Sequence, residues 1–137
     1  MSPTAKNALA VIGGIVLGSM VNMGIISMSG SIIPPPEGAD LTTMDGLKAS
    51  MHLFGPKNFI FPFLAHALGT LMGAIIVARF AATKHFRLAM VVGAIFFVGG
   101  LTNVFMLPSP MWFNVLDLAG AYFPMAFLGA KFFGPRG

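Results

Sequence analysis

Cysteine is absent from this 137-residue chain. That excludes a disulfide framework, thiolate ligands and a cysteine nucleophile, and it leaves the redox compartment open. Charge is nearly as scarce. Asp, Glu, Lys and Arg together make up 9% of the residues, against about 25% in an ordinary soluble domain. A surface built with so few charges does not stay dissolved in water, so lipid is the expected solvent. The signatures of common enzyme chemistries are missing too. No nucleophile stands at a recognisable spacing from a base and an orienting group. No phosphate-cradling loop or dinucleotide fingerprint occurs, because the run "GAIFFVGG" lies inside an apolar segment. The reading is therefore of a non-enzyme without a cofactor.

What is present is apolar: 56% hydrophobic residues and a mean hydropathy of +0.86. Four runs carry it, at about residues 8–28, 59–82, 88–107 and 111–133. Each has about the 20 residues that a helix needs to cross ~30 Å of hydrocarbon. Open strands would leave backbone groups unpaired in lipid, and four spans cannot close a barrel. The expected fold is all-α, an integral membrane four-helix bundle in one domain. The first run has the basic Lys6 ahead of it but is long and rich in Gly and Met, so it reads as a retained span rather than a signal peptide.

The net charge of +4 and pI near 10 have a topological explanation. Lys6, Arg79, Lys84, Arg87, Lys131 and Arg136 fall at one end of such a bundle. Lys48 and Lys57 fall at the other, with Glu37, Asp40 and Asp45. The positive-inside rule puts both termini in the cytoplasm and the loop 30–58 outside, in what would be a bacterial inner membrane. No basic face with aromatic or polar readers is visible, so no nucleic-acid partner is expected. The basic ring, with His85 at headgroup level, suits anionic lipid.

The outer loop opens on "SIIPPPEGAD", where three prolines favour an extended segment. Thr42 and Asp45 then have the spacing of a helix start. Met44, Leu47, Met51 and Phe54 share one helical face before Gly55 and Pro56. The expectation is a short amphipathic helix over residues 44–54, lying in the interface or lidding the outer mouth of the bundle.

The polar residues inside the spans cluster by depth. His66, in "FPFLAHALGTLMGAII", lies about seven residues, or ~10 Å, below the outer edge of its span. Asp117 lies at nearly the same depth in the fourth. Asn22, Thr70, Asn103, Asn114 and Tyr122 occupy the same leaflet, and the inner halves have little comparable. Spacing groups them with small residues. Gly14, Gly18 and Asn22 share one face, and His66, Gly69, Thr70 and Gly73 another. Gly93, Phe96, Gly100 and Asn103 make a third, and Asn114, Asp117, Ala121 and Pro124 a fourth. Small residues mark helix contacts in lipid, as in "GIVLG" and "GTLMG". The expectation is an inward-facing His66–Asp117 pair in a polar pocket, with Gly14, Gly18, Gly69 and Gly73 at helix crossings. A weaker alternative uses Met20, Met23, Met51 and His52 as thioether and imidazole ligands for Cu(I). Methionine also fills gaps in apolar packing, and no tight pair of such ligands stands on a span face.

The runs "IPPPEGADLTTMDGLKASMHLFGPKNFIFPFLAHALGTLMGA" and "NVFMLPSPMWFNVLDLAGAYFPMAFLGAKF" resemble an uncharacterised group of small four-span bacterial membrane proteins. That resemblance implies four spans and carries no activity. In size and span count the chain is also similar to small multidrug transporters, but it lacks their glutamate in the first span and has a long outer loop. Two classes of function follow. The first is an accessory or interaction subunit of a membrane assembly, with other subunits or a second copy as partners. The second is a small transporter or ligand-binding protein that uses the His/Asp pocket.

Overall fold

The computed structural model describes residues 1–135; Arg136 lies outside them. All regular structure among these residues is helical. The elements are α1 (Pro3–Ile32), α2 (Met44–Ser50), α3 (Ile60–Phe80), α4 (His85–Met106), α5 (Met111–Gly120) and α6 (Phe123–Phe133). Short 3-10 turns at Met51–Leu53 and Pro56–Phe59 join α2 to α3. Four helical segments are long and apolar enough to cross a membrane: α1, α3 with its preceding turn, α4, and α5–α6 together. The chain is a multi-pass, all-α membrane bundle.

Helix α1 is longer than its apolar run. Ser2 accepts a hydrogen bond from the Ala5 amide and Pro3 sits in the first turn, which sets the start. Ile33 takes up extended backbone ahead of Pro34–Pro36, which ends the helix. At the basic end, Asn7 fastens α1 to the turn between α3 and α4. Its Oδ1 accepts from the Ala82 and Thr83 amides at 2.8 and 3.1 Å, and its Nδ2 donates to Thr83 Oγ1 at 2.9 Å.

Helix α3 is the centre of the bundle. It packs against α1 along its length, and against α4 and α6 on its other sides. Helices α1 and α4 touch only sparsely. The α1–α3 crossing is built from bare backbone. A Cβ added at Gly14 would lie 2.7 Å from the Gly73 carbonyl oxygen, and one at Gly18 would lie 2.6 Å from that of Gly69. The four predicted packing glycines are therefore the contact itself, since any side chain there would force the backbones apart. Below them, Ala74, Val77, Val92 and Ala126 form the main apolar core.

The fourth span is not one helix. The run 111–133 breaks after Gly120, Tyr122 leaves helical geometry (φ −112°, ψ −77°), and α6 starts at Phe123 with Pro124 in its first turn. Proline has no N–H to give to a preceding carbonyl, and its ring crowds that carbonyl, so a continuous helix fails here. The break re-phases the span. Asn114, Asp117 and Ala121 are buried, as the shared-face reading expects. Pro124 is exposed, and Ala126, Gly129 and Ala130 turn inward in its place.

The amphipathic segment of the outer loop is shorter than the 44–54 pattern, because its last turn tightens to 3-10 geometry at Met51–Leu53. Its cap is Thr43, which accepts from the Gly46 amide at 2.9 Å. Thr42 instead joins an Asx turn in which its hydroxyl and amide both donate to Asp40. Those two bonds, the hydroxyl's first, hold the exposed Asp40 carboxyl below the usual carboxylate range. Met51 is buried with Phe59 and Phe113, and Leu47, Phe54 and Leu107 pack against them. The loop thus covers the outer ends of α3 and α5.

Candidate functional site

His66 and Asp117 meet. Nδ1 of His66 lies 2.8 Å from Oδ1 and 3.0 Å from Oδ2 of Asp117. Asp117 is 4% exposed and is the only acidic residue within a span. Its Oδ2 also accepts from the Tyr122 hydroxyl at 3.2 Å. The break in the fourth span makes this possible. Round a continuous helix, residues five apart point roughly 140° away from each other. Leaving helical geometry at Tyr122 swings its ring back to the carboxylate. The ring stacks on His66 at 5.8 Å between centroids and sits edge-on to Phe97 at 6.0 Å. It fills the space left by Gly100, where any Cβ would run into it.

Thr70 sits one turn below His66, wholly buried, and donates its hydroxyl to the His66 carbonyl at 2.8 Å. On the far side, Asn22 packs over Gly69, and its Oδ1 is buried without a partner among the described residues. Ser19, Asn22, His66, Thr70, Asn103 and Tyr122 supply the polar lining of a cavity of about 320 Å³. Its apolar walls are Ala65, Phe96 and the three glycines Gly69, Gly99 and Gly100. The cavity lies between α1 and α4, where those helices barely touch, with α3 and Tyr122 as its floor. Gly99 and Asn103 are exposed at its α4 edge.

Three expectations need correction. Asn114 does not enter the pocket. It is buried at the start of α5, where its Oδ1 accepts from Ser109 Oγ at 2.8 Å and its Nδ2 donates to the Ser109 carbonyl, closing the turn that begins the span. The loop helix does not lid the cavity, since no residue of α2 or its following turns lines it. The Cu(I) ligands are not assembled as a site: Met51 is spent on the aromatic cluster, while Met20, Met23 and His52 are exposed. Among the described residues no group of three or more His, Asp or Glu side chains could hold a metal ion.

Sequence reasoning passed over Gly99 as a lining residue and Asn7 as a tie. Ser19, which shares the outer half of the first span with Asn22, lies one residue beyond Gly18 and lines the cavity. Gly99 has no neighbour within 4 Å of a built Cβ and leaves only an opening. With Nδ1 held by the carboxylate, the other imidazole nitrogen, Nε2, has no partner among the described residues and is not sealed off, so it is the atom available to an occupant of the cavity. The arrangement can bind and orient a polar group. Compared with known proteins, the chain matches no family model, no curated protein and no solved structure.

Proposed function

We propose that this chain is a non-catalytic membrane protein that binds a small polar ligand in the cavity between α1 and α4, in the leaflet that carries the long loop. The observation that carries the reading is the unsatisfied Oδ1 of Asn22, buried in the wall of a cavity that also exposes His66. An unpaired buried acceptor costs about 1–3 kcal/mol. Proteins keep such groups where something else completes them. A polar cavity walled by membrane helices, behind a carboxylate that hydrocarbon disfavours, is a functional-site pattern. Discontinuous helices near the membrane interior are also typical of ligand sites in small transporters.

Gly99→Leu tests this reading. The substitution has room at the backbone and fills the cavity mouth. Thermal-shift titration with a panel of small cations, anions and neutral polar compounds should give saturable stabilisation of the wild type that Gly99→Leu loses. Responses that survive the substitution, or no response across the panel, would overturn the reading.

The accessory-subunit reading has its own support. Helix α1 leans on the bundle through one face only, leaving Leu9, Ile12, Val16, Met20 and Met23 exposed. A partner span would fit there, and detergent-solubilised size with and without co-purifying subunits measures it.

The orientation follows from charge. Lys6, Arg79, Lys84, Arg87 and Lys131 all lie at the end where Asn7 meets Thr83. That end belongs in the cytoplasm by the positive-inside rule, with the membrane the bacterial inner one. Because the chain has no native cysteine, single cysteines at Thr83 and Ala39 should label from opposite faces of intact membranes. Labelling of both from one face would refute the topology.

A further inference from the structure

We infer that the occupant of the cavity is a small primary ammonium cation. This rests on the cavity being a ligand site, and it names the chemistry that the walls accept.

The direction of the protons decides it. Tyr122 gives its hydroxyl proton to Asp117. Thr70 gives its proton to the His66 carbonyl. In the neutral imidazole, the Nδ1 proton goes to the Asp117 carboxylate, which leaves Nε2 with a bare lone pair. Each of these donors is therefore spent on the protein, and what they turn toward the cavity are lone pairs. Asn22 adds an oxygen that no described residue satisfies. The wall thus offers acceptors on two helices, α1 and α3, with a hydroxyl oxygen from Tyr122 at the floor, while Ser19, the Asn22 amide and Asn103 can donate as well as accept.

Charge points the same way. Among the described residues the Lys and Arg side chains are Lys6, Lys48, Lys57, Arg79, Lys84, Arg87 and Lys131, and none of these lines the cavity. In the tautomer that donates its Nδ1 proton to Asp117, the carboxylate has no cation beside it among the described residues, in a setting where an unbalanced charge is expensive. An ammonium group brings both missing elements: a positive charge, and three N–H donors for His66 Nε2, Asn22 Oδ1 and the Thr70 oxygen. A carboxylate or phosphate ligand would find donors only in Ser19, Asn22 and Asn103, and would have the like charge of Asp117 behind His66. About 320 Å³ admits an amine with a short carbon chain. The ring of Phe96 and the bare surface of Gly99 and Gly100 give that chain an apolar seat.

The test uses the full chain in phosphatidylcholine nanodiscs, with ethylammonium chloride as the probe. Propionamide, sodium propionate and sodium chloride serve as neutral, anionic and ionic-strength comparisons. Ethylammonium alone should raise the unfolding midpoint in a saturable way beyond sodium chloride. The concentration needed should rise roughly tenfold or more in Asp117→Asn, which removes the charge at constant shape. Gly99→Leu, which has space for its side chain, should abolish the effect and covers the case in which Asp117→Asn does not fold. If propionamide or propionate stabilises the wild type as well as ethylammonium does, and Gly99→Leu abolishes that too, the cavity binds ligands but the ammonium assignment is wrong. If no probe, here or in the wider panel, moves the midpoint beyond sodium chloride, both the assignment and the ligand-site reading fail. An ethylammonium effect that persists in both variants would also defeat both, since binding would then lie elsewhere.

Discussion

The Gly69→Leu protein should unfold at a markedly lower temperature than the wild type, and α1 should exchange its amides faster than α4. A Cβ at Gly69 lies 2.8 Å from the Gly18 carbonyl oxygen and 3.2 Å from Asn22 Cβ. The nearest obstacle is backbone, which cannot rotate out of the way as a side chain could. Helix α1 must therefore move off α3 or the substitution must be absorbed by a bend. Overpacking of a tight contact costs about 1–3 kcal/mol and occasionally more, and the upper part of that range is expected here. Gly24→Leu is the control, because nothing lies within 4 Å of a Cβ at that position. It should be neutral or slightly stabilising, since Leu is favoured over Gly in a helix by up to about 1 kcal/mol. Equal behaviour of the two variants would mean that α1 does not dock through Gly14, Gly18, Gly69 and Gly73.

The second large effect belongs to His66. His66→Ala leaves Asp117 buried with only the Tyr122 hydroxyl. Leaving a buried carboxylate short of a hydrogen-bond partner costs about 1–3 kcal/mol, and more while it stays charged. The double variant His66→Leu with Asp117→Leu removes both, and a matched pair of apolar groups is often tolerated there. The expected order of stability is wild type close to the double variant, with His66→Ala far below, read by chemical or thermal unfolding in one detergent. A double variant that folds but no longer responds to ligands would separate the pair's structural and binding roles. A His66→Ala protein as stable as the wild type would show that the 2.8 Å contact does not bear on folding.

Much of this architecture was readable before any coordinates. Span number follows from length and hydropathy, because lipid permits only fully paired backbone. The crossing of α1 and α3 follows from glycines spaced four apart. The meeting of His66 with Asp117 was legible as matched depth on faces that also carry small residues. What stayed hidden depends on local competition between nearly equal choices. Thr42 and Thr43 both suit a helix cap, and Asp40 settles the matter by capturing Thr42. Asn114 shares a face with Asp117, yet the nearby Ser109 takes up its whole amide. The break at Gly120 had its signal in Pro124, but hydropathy averages over a window and does not see a missing N–H. The position of the loop helix depends on which aromatic rings it can reach. Phe59 lies 4.5 Å from Phe113 and 5.6 Å from Trp112, so that cluster draws Met51 away from the cavity.

The broken fourth span also bears on how the chain is assembled during synthesis. Its mean hydropathy is 1.2, against 2.0–2.1 for the other three. It brings the carboxylate of Asp117 with it, and an aspartate at the centre of a lone helix costs about 2.5–3.5 kcal/mol on insertion. The first three spans can leave the translocation channel for lipid on their own hydropathy. Besides its own Tyr122, the last span finds a partner for its carboxylate in His66, made 51 residues earlier. The expected consequence is directional: the final segment should insert well only after the first three spans, docking on protein as it enters lipid.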